Sequence, residues 1–509
     1  MQALRARYRA SARLPRLLAV VQRRGTGVGF ALSRGMARTT QLAPPAPPAP
    51  PAPPDPPAPL SLPSPAPPPP RRTVRGDQHD RGRFVAAVQP AAWDLLLLCV
   101  AVYIATAVGR IHEVFPILMP FKLTLVAATL SVGLCLLQQS GRRRIGLVRS
   151  RTTTCFVALV CWSALTVPGA LNQGLAFQTW TDFARTAVMF VVLAASVRST
   201  RDLERLILVY FAVTVVYVAV VISRFKMGGG DSWRLGDLYT YDANDLATLI
   251  TTAMPFGLYF VLAQRKLTLR LLALTGLAIL AVGLIRSGSR GGFLAFLAVT
   301  AFVLLCVTTI PVRSRVAGLI VIIAVVAGTA SDRYWSQMQT IVHYKQDYNM
   351  TSDVGRVKIW KRGVGYMLDR PLFGVGMRNF QVAEGTISPR AKLRERGIGV
   401  WWGAAHNTYV QAGAELGMPG VLIFLAMLGT AFQSLRRVTR RALRQNTAGN
   451  ELSRLAQSLM SALIGFTVGA IFLSLAYADM LYALLALVVA LAKIARSDSA
   501  PGLPATGVS

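Results

Sequence analysis

Apolar residues along this chain run in blocks of about 16 to 24, separated by short polar stretches, instead of alternating with period two. A helix of that length crosses a hydrocarbon layer of roughly 30 Å at 1.5 Å per residue. Twelve such stretches occur, at about 93–109, 117–137, 153–168, 183–197, 205–222, 246–263, 267–285, 292–309, 315–330, 408–432, 456–474 and 478–495. The pattern predicts an all-α, polytopic integral membrane protein with about twelve transmembrane helices. The 77 residues between the ninth and tenth stretches, 331–407, contain no such block and form one long loop.

Composition agrees. Of 509 residues, 53% are hydrophobic and 15% charged, against roughly 25% charged in soluble proteins, and the mean hydropathy is +0.46. The net charge of +33 raises nucleic acid as a partner. The basic residues, however, punctuate the apolar blocks and form no patch interleaved with aromatics, so the bilayer is the partner and nucleic acid is not. Five cysteines, all inside apolar blocks and without C-x-x-C spacing, give neither a disulfide framework nor a metal site.

The first 90 residues have a different character. Residues 1–40 hold nine arginines and no acid, and their longest apolar run is broken by Pro15 and Arg16, so no signal-peptide core is present. Pro44 to Pro70 is a proline repeat that favours extended polyproline II. Residues 1–90 therefore read as a disordered cytoplasmic extension acting as a spacer, unless the true start lies downstream. Residues 91–496 read as the transmembrane domain and 497–509 as a cytoplasmic tail.

Basic residues follow the even-numbered stretches: Arg142, Arg143, Arg144, Arg149 and Arg151; Arg198, Arg201 and Arg205; Arg265, Lys266 and Arg270; Arg313 and Arg315; and Arg436, Arg437, Arg440, Arg441 and Arg444. The positive-inside rule places these connections, and both termini, in the cytoplasm. The long loop is then exterior, or periplasmic in a bacterium. It carries twelve basic and six acidic residues, a surplus that orientation does not account for.

Three constellations fall on that exterior side. Trp233-Arg234-Leu235-Gly236 precedes Tyr241-Asp242-Ala243-Asn244-Asp245, where Asn244 or Asp245 is expected to cap the sixth helix and Arg234 is left for function. Arg286-Ser-Gly-Ser-Arg290-Gly-Gly is a tight turn whose small residues expose N–H groups and whose arginines suit phosphate oxygens. In the loop, Arg356 opens an amphipathic helix to about Leu368, Arg370-Pro-Leu-Phe-Gly-Val-Gly376 stops it, and His406-Asn407-Thr-Tyr leads into the tenth helix, which contains Glu415-Leu-Gly-Met-Pro-Gly420. His406, between guanidinium groups and a helix N-terminus, is expected to be neutral near pH 7 and able to accept a proton.

Together, Arg-x-Gly, Asp-x-Asn-Asp-Leu-Ala, Ser-Arg-Gly-Gly, the long loop with Arg-x-x-x-Trp and Pro-Leu-Phe-Gly-x-Gly, then His-Asn-x-Tyr and Glu-Leu-Gly-x-Pro-Gly resemble the O-antigen ligase and polymerase superfamily over roughly residues 90–495. The resemblance implies a bacterial inner-membrane glycosyltransferase. Such an enzyme moves a glycan from an undecaprenyl-pyrophosphate carrier to a glycan or lipid acceptor hydroxyl in the periplasm, with no metal or other cofactor. His406, Arg290 and Arg234 are then the catalytic candidates. Arg286, Arg356, Asn407 and Asp479 are the substrate-binding candidates, with Asp479 orienting His406 or the acceptor, or else merely structural. Ligation and repeat-unit polymerisation share this donor chemistry. A transporter of a small anion is the alternative of another class, disfavoured by the lack of an internal repeat with paired broken helices. The proline-rich extension departs from the family pattern, and the oligomeric state is not legible.

Overall fold

The computed structural model describes residues 93–137, 145–146, 148–225, 234–235, 240–391, 393, 402–444 and 449–497. The N-terminal extension, the tail beyond 497, the Arg142–Arg144 cluster, and Trp233 and Gly236 lie outside the described residues.

Every regular element described is helical. The long helices, with the shorter ones of the loop, are α1 (Leu95–Ala107), α2 (Leu123–Leu137), α3 (Arg151–Thr166), α4 (Gln173–Ser196), α5 (Thr200–Arg224), α6 (Ala243–Ala263), α7 (Leu267–Ser287), α8 (Arg290–Cys306), α9 (Val312–Thr329), α10 (Asp332–Val342), α11 (Arg356–Asp369), α12 (Phe380–Thr386), α13 (Thr408–Arg444), α14 (Gly449–Gly469) and α15 (Asp479–Ser497). Each expected apolar stretch coincides with a helix. Six of these, α5, α6, α7, α9, α13 and α14, are long and apolar enough to cross a membrane, while α1, α2 and α8 are apolar but shorter. The chain is a multi-pass helical membrane protein. Several helices outrun their hydrophobic signal: α4 begins ten residues before the expected 183, because the Asn172 side chain accepts from Leu175 N at 3.0 Å and starts a polar first turn.

Helices α6 and α14 form the centre, packed on one another and on α8, with α7 against α6 and α13 against α14. Small residues permit the approach. A Cβ on Gly292 would lie 2.4 Å from Ala247 Cβ, and one on Gly469 would lie 2.5 Å from Thr248 Oγ1. Helix α15 is buried along nearly its whole length, and Phe156, Phe183, Phe190 and Tyr482 form an aromatic knot with centroid separations of 4.5 to 5.6 Å. Buried Lys493 closes the end of α4, where Nζ donates to the carbonyls of Ala194 (2.7 Å), Ala195 (3.2 Å) and Val197 (2.6 Å). Those carbonyls have no partner within their own helix.

Helix α13 is broken. Gly417 takes φ 73°, ψ −176°, and Pro419 has no N–H to offer the Glu415 carbonyl four residues back. The loop supplies what the break removes. Val375 N donates to Ala414 O (2.8 Å), Gly376 N to Glu415 O (3.0 Å) and Trp162 Nε1 to Leu416 O (2.9 Å), while Met418 N donates to Pro371 O (2.8 Å). The buried Glu415 carboxylate accepts from Arg378 N, Phe380 N and Tyr477 OH at 2.9 to 3.2 Å. The Pro-Leu-Phe-Gly-x-Gly and Glu-Leu-Gly-x-Pro-Gly segments are thus two halves of one joint. A Cβ at position 417 would lie 2.2 Å from Leu372 O on a backbone that only glycine adopts freely. Gly417→Ala is expected to destabilise the purified protein by about 1–3 kcal/mol in thermal unfolding. Gly429→Ala, on the same helix with open space around it, should not.

The loop has its own core of Ile359, Tyr366, Val375, Phe380, Ala383, Ala405 and Ala414. Helix α11 matches the amphipathic stretch expected from Arg356. Buried Glu384 holds it, accepting from Arg362 Nε (2.8 Å), Arg362 Nη2 (2.6 Å) and Tyr366 OH (2.8 Å).

Candidate functional site

The N-termini of α6, α8 and α13 and the C-terminus of α7 meet at one end of the bundle, beneath the start of α11. Asp242 caps α6, its Oδ1 accepting from Asn244 N (2.7 Å) and Asp245 N (2.8 Å). The cap is therefore two or three residues earlier than Asn244 or Asp245. That frees Asn244 Oδ1 to accept from Arg234 Nη2 (3.1 Å) and Ser289 Oγ (2.8 Å). Arg234 Nε also donates to the Ser287 carbonyl at the end of α7 (2.9 Å), so Arg234 does have a terminus-closing role.

The turn between α7 and α8 differs from expectation. Gly288 is left-handed (φ 55°), Ser289 caps α8 by accepting from Gly292 N at 3.1 Å, and both following glycines are buried in helix packing. No cradle of exposed N–H groups forms there. The two arginines separate as well. Arg286 is exposed, and its carbonyl accepts from Leu235 N (2.9 Å). Arg290 reaches the loop, donating from Nη1 to Thr340 Oγ1 (2.7 Å) and to the Asp347 carboxylate.

Arg356, the first residue of α11, lies half-buried among Arg290, Arg234, Asp242 and Asp347. Burial foremost, then the charges of Arg290 and Arg234 against the opposing carboxylates, lowers its pKa from the ordinary arginine value. A site that disfavours one guanidinium by crowding it with two others attracts anions. His406 stands beside it on a left-handed backbone (φ 46°), with its N–H bonded to Ser474 Oγ at 2.9 Å. Burial and then the Arg356 charge lower its pKa below 6.5, against a smaller opposite pull from Asp242. The imidazole is therefore neutral at pH 7. Among the described residues no protein group hydrogen-bonds to the His406 ring or to the Arg356 guanidinium. Asn407 is buried and caps α13, its Oδ1 accepting from Tyr409 N (2.9 Å) and Val410 N (3.0 Å). Its side-chain oxygen is committed to the helix.

Asp479 is placed differently. It accepts from Thr186 Oγ1 at 2.8 Å and lies in the field of Arg110, whereas the carboxylate whose charge reaches His406 is Asp242. Structure thus brings together Arg234, Arg290, Arg356 and His406, leaves Arg286 at the surface, and gives Asn407 a capping role. It adds Asp242 and Asp347. Asp242 stood in the motif before the sixth helix without a role of its own, and His406, whose neighbour it is, lies 164 positions away. Asp347 carried no signal, lying in a charged stretch of loop with no motif.

Chemically, the site is a cluster of guanidinium groups with an imidazole at its edge. Residues 275–425 match the O-antigen ligase family model. That window runs from α7 into α13 and contains Arg286, Arg290, Arg356, His406 and Asn407; Arg234 and Asp479 fall outside it. The resemblance read from the motifs holds over this window. No curated protein matches the chain.

Proposed function

We propose that this chain is a glycosyltransferase of the O-antigen ligase kind, taking a glycan from an undecaprenyl-pyrophosphate carrier and joining it to an acceptor hydroxyl on the exterior face of the inner membrane. The observation that carries the reading is Arg356, in the field of Arg290 and Arg234, beside His406, with neither side chain hydrogen-bonded among the described residues. In the transfer, the acceptor oxygen bonds to the anomeric carbon as the bond from that carbon to the phosphate oxygen breaks. His406 takes the acceptor proton. The electron pair leaves with the pyrophosphate, whose growing charge Arg356, Arg290 and Arg234 stabilise in place. All four residues lie at the bundle end opposite the basic tail of α13, so the positive-inside rule supports an exterior site with twelve crossings and both termini cytoplasmic.

Comparing carrier-linked and surface glycans in a deletion strain tests this. Accumulation of full-length carrier-linked glycan is the expected result and marks a ligase. Collapse to single repeat units marks a polymerase with the same donor chemistry. An unchanged glycan profile, with altered uptake of a small anion, would overturn the enzyme reading in favour of transport.

A further inference from the structure

Arg290 already holds an anion. Its Nη1 donates to Asp347, whose carboxylate is 12% exposed and also accepts from Asn349 N (2.8 Å) and Asn349 Nδ2 (2.6 Å). Burial alone would raise the Asp347 carboxyl, but the hydrogen bonds from Arg290 and Asn349 hold it below its ordinary range, so it is charged.

The segment that carries Asp347 is attached in an unusual way. It consists of a 3₁₀ turn, Tyr344–Gln346, and a single helical turn, Tyr348–Thr351, whose backbone bonds are all local. No described side chain between Val342 and Asp353 is buried, and Tyr344 and Tyr348 are half or more exposed. Its flanks are anchored: Tyr334 and Met338 of α10 pack near Ile285 and Phe293, and buried Gly355 precedes α11. Between those anchors, the one hydrogen-bonded tie to the membrane helices among the described residues is Arg290 with Asp347 and Thr340.

We propose that Asp347 is a built-in counter-ion standing where a donor phosphate is received on Arg290, and that donor binding displaces it and lifts the 342–353 arch off the site. This rests on the reading of the site as a pyrophosphate seat. The driving force is charge: a pyrophosphate diester brings two negative charges to three guanidinium groups, where Asp347 offers one. Displacement breaks one ion pair and uncovers no buried side chain of the described segment, so little beyond that pair opposes the movement. The exchange also keeps Arg290 from standing uncompensated before the substrate arrives. As the arch lifts, Tyr344 and Tyr348 move with it.

The test uses the full-length protein in nanodiscs with farnesyl pyrophosphate as probe. Asp347→Asn is near-isosteric and retains an acceptor for the Asn349 N–H, so the local turn is preserved. It is expected to bind the probe roughly three- to tenfold more tightly than wild type. Hydrogen exchange over 342–353 should speed up in wild type when the probe is added, and should already be fast in the unliganded variant. If wild type binds in an Arg290-dependent way while Asp347→Asn binds equally or more weakly, or if the probe slows exchange over 342–353, Asp347 is a fixed positioning residue and the displacement is wrong. If wild type does not bind the probe, or binds it unaffected by Arg290→Ala, the pyrophosphate seat itself fails.

Discussion

Replacing His406 by alanine should leave carrier-lipid binding intact while slowing glycan transfer roughly 10²-fold or more, the range a positioned general base contributes. The backbone N–H of His406 makes the bond to Ser474 and Asn407 makes the cap, so the side chain can be removed without opening the joint. The pH profile gives the second reading. A base must be deprotonated to work, and the His406 pKa is depressed, so transfer should be flat at neutral pH and fall only as pH drops through a value below 6.5. Arg356→Ala removes one cause of the depression and should move that limb upward. Asp242→Asn, which keeps a capping oxygen, removes the opposing pull and should move it downward. A His406→Ala protein that transfers at near wild-type rate, or a limb that ignores both neighbouring substitutions, would remove the general-base role.

Arg290→Ala should act earlier, weakening donor affinity by about one to two orders of magnitude, the scale of losing a hydrogen bond to a charged group. Lysine at this position should rescue only in part. It preserves a positive charge for Asp347, but it lacks the planar fork that meets two oxygens at once. The His406 and Arg290 variants therefore separate by assay, with affinity falling in one and held in the other. Calorimetry with a polyprenyl pyrophosphate, followed by single-turnover transfer with defined donor and acceptor, distinguishes them. Unchanged affinity in Arg290→Ala would remove this residue from donor binding.

The membrane helices were legible because solvent change is a strong signal. Each of the twelve apolar stretches coincides with a described helix, six of them long and apolar enough to cross a membrane, and α11 followed from its amphipathic spacing and the Arg370-Pro371 stop. The site was legible in its members more than in its geometry. Arg286 and Arg290 are four apart, and on one continuous helix they would share a face. Left-handed Gly288 reverses the chain between them, so one points to solvent and the other into the loop. Gly291 and Gly292 were misread because an absent side chain serves equally to expose backbone or to admit a neighbouring helix. Only the positions of Phe472 and Ala247 decide between these. The cap at Asp242 in place of Asn244 or Asp245 follows a local competition among three polar residues within four positions. Asp347 lay beyond any local rule, since its meaning comes entirely from Arg290, 57 residues earlier.

The break in α13 also bears on how the protein is made. The half-helix from Thr408 to Leu416 is about 14 Å long at 1.5 Å per residue, roughly half a hydrocarbon layer. Its last carbonyls would face lipid without donors, at a cost of several kcal/mol each. The donors come from Val375 and Gly376, with Trp162 of α3, and all three are synthesised before residue 408 emerges. A ribosome delivering this chain thus presents these three donors before the carbonyls that need them, while Tyr477, which donates to the Glu415 carboxylate, follows. The upper half of α13 therefore has, in segments made before it, docking partners for the carbonyls its break exposes.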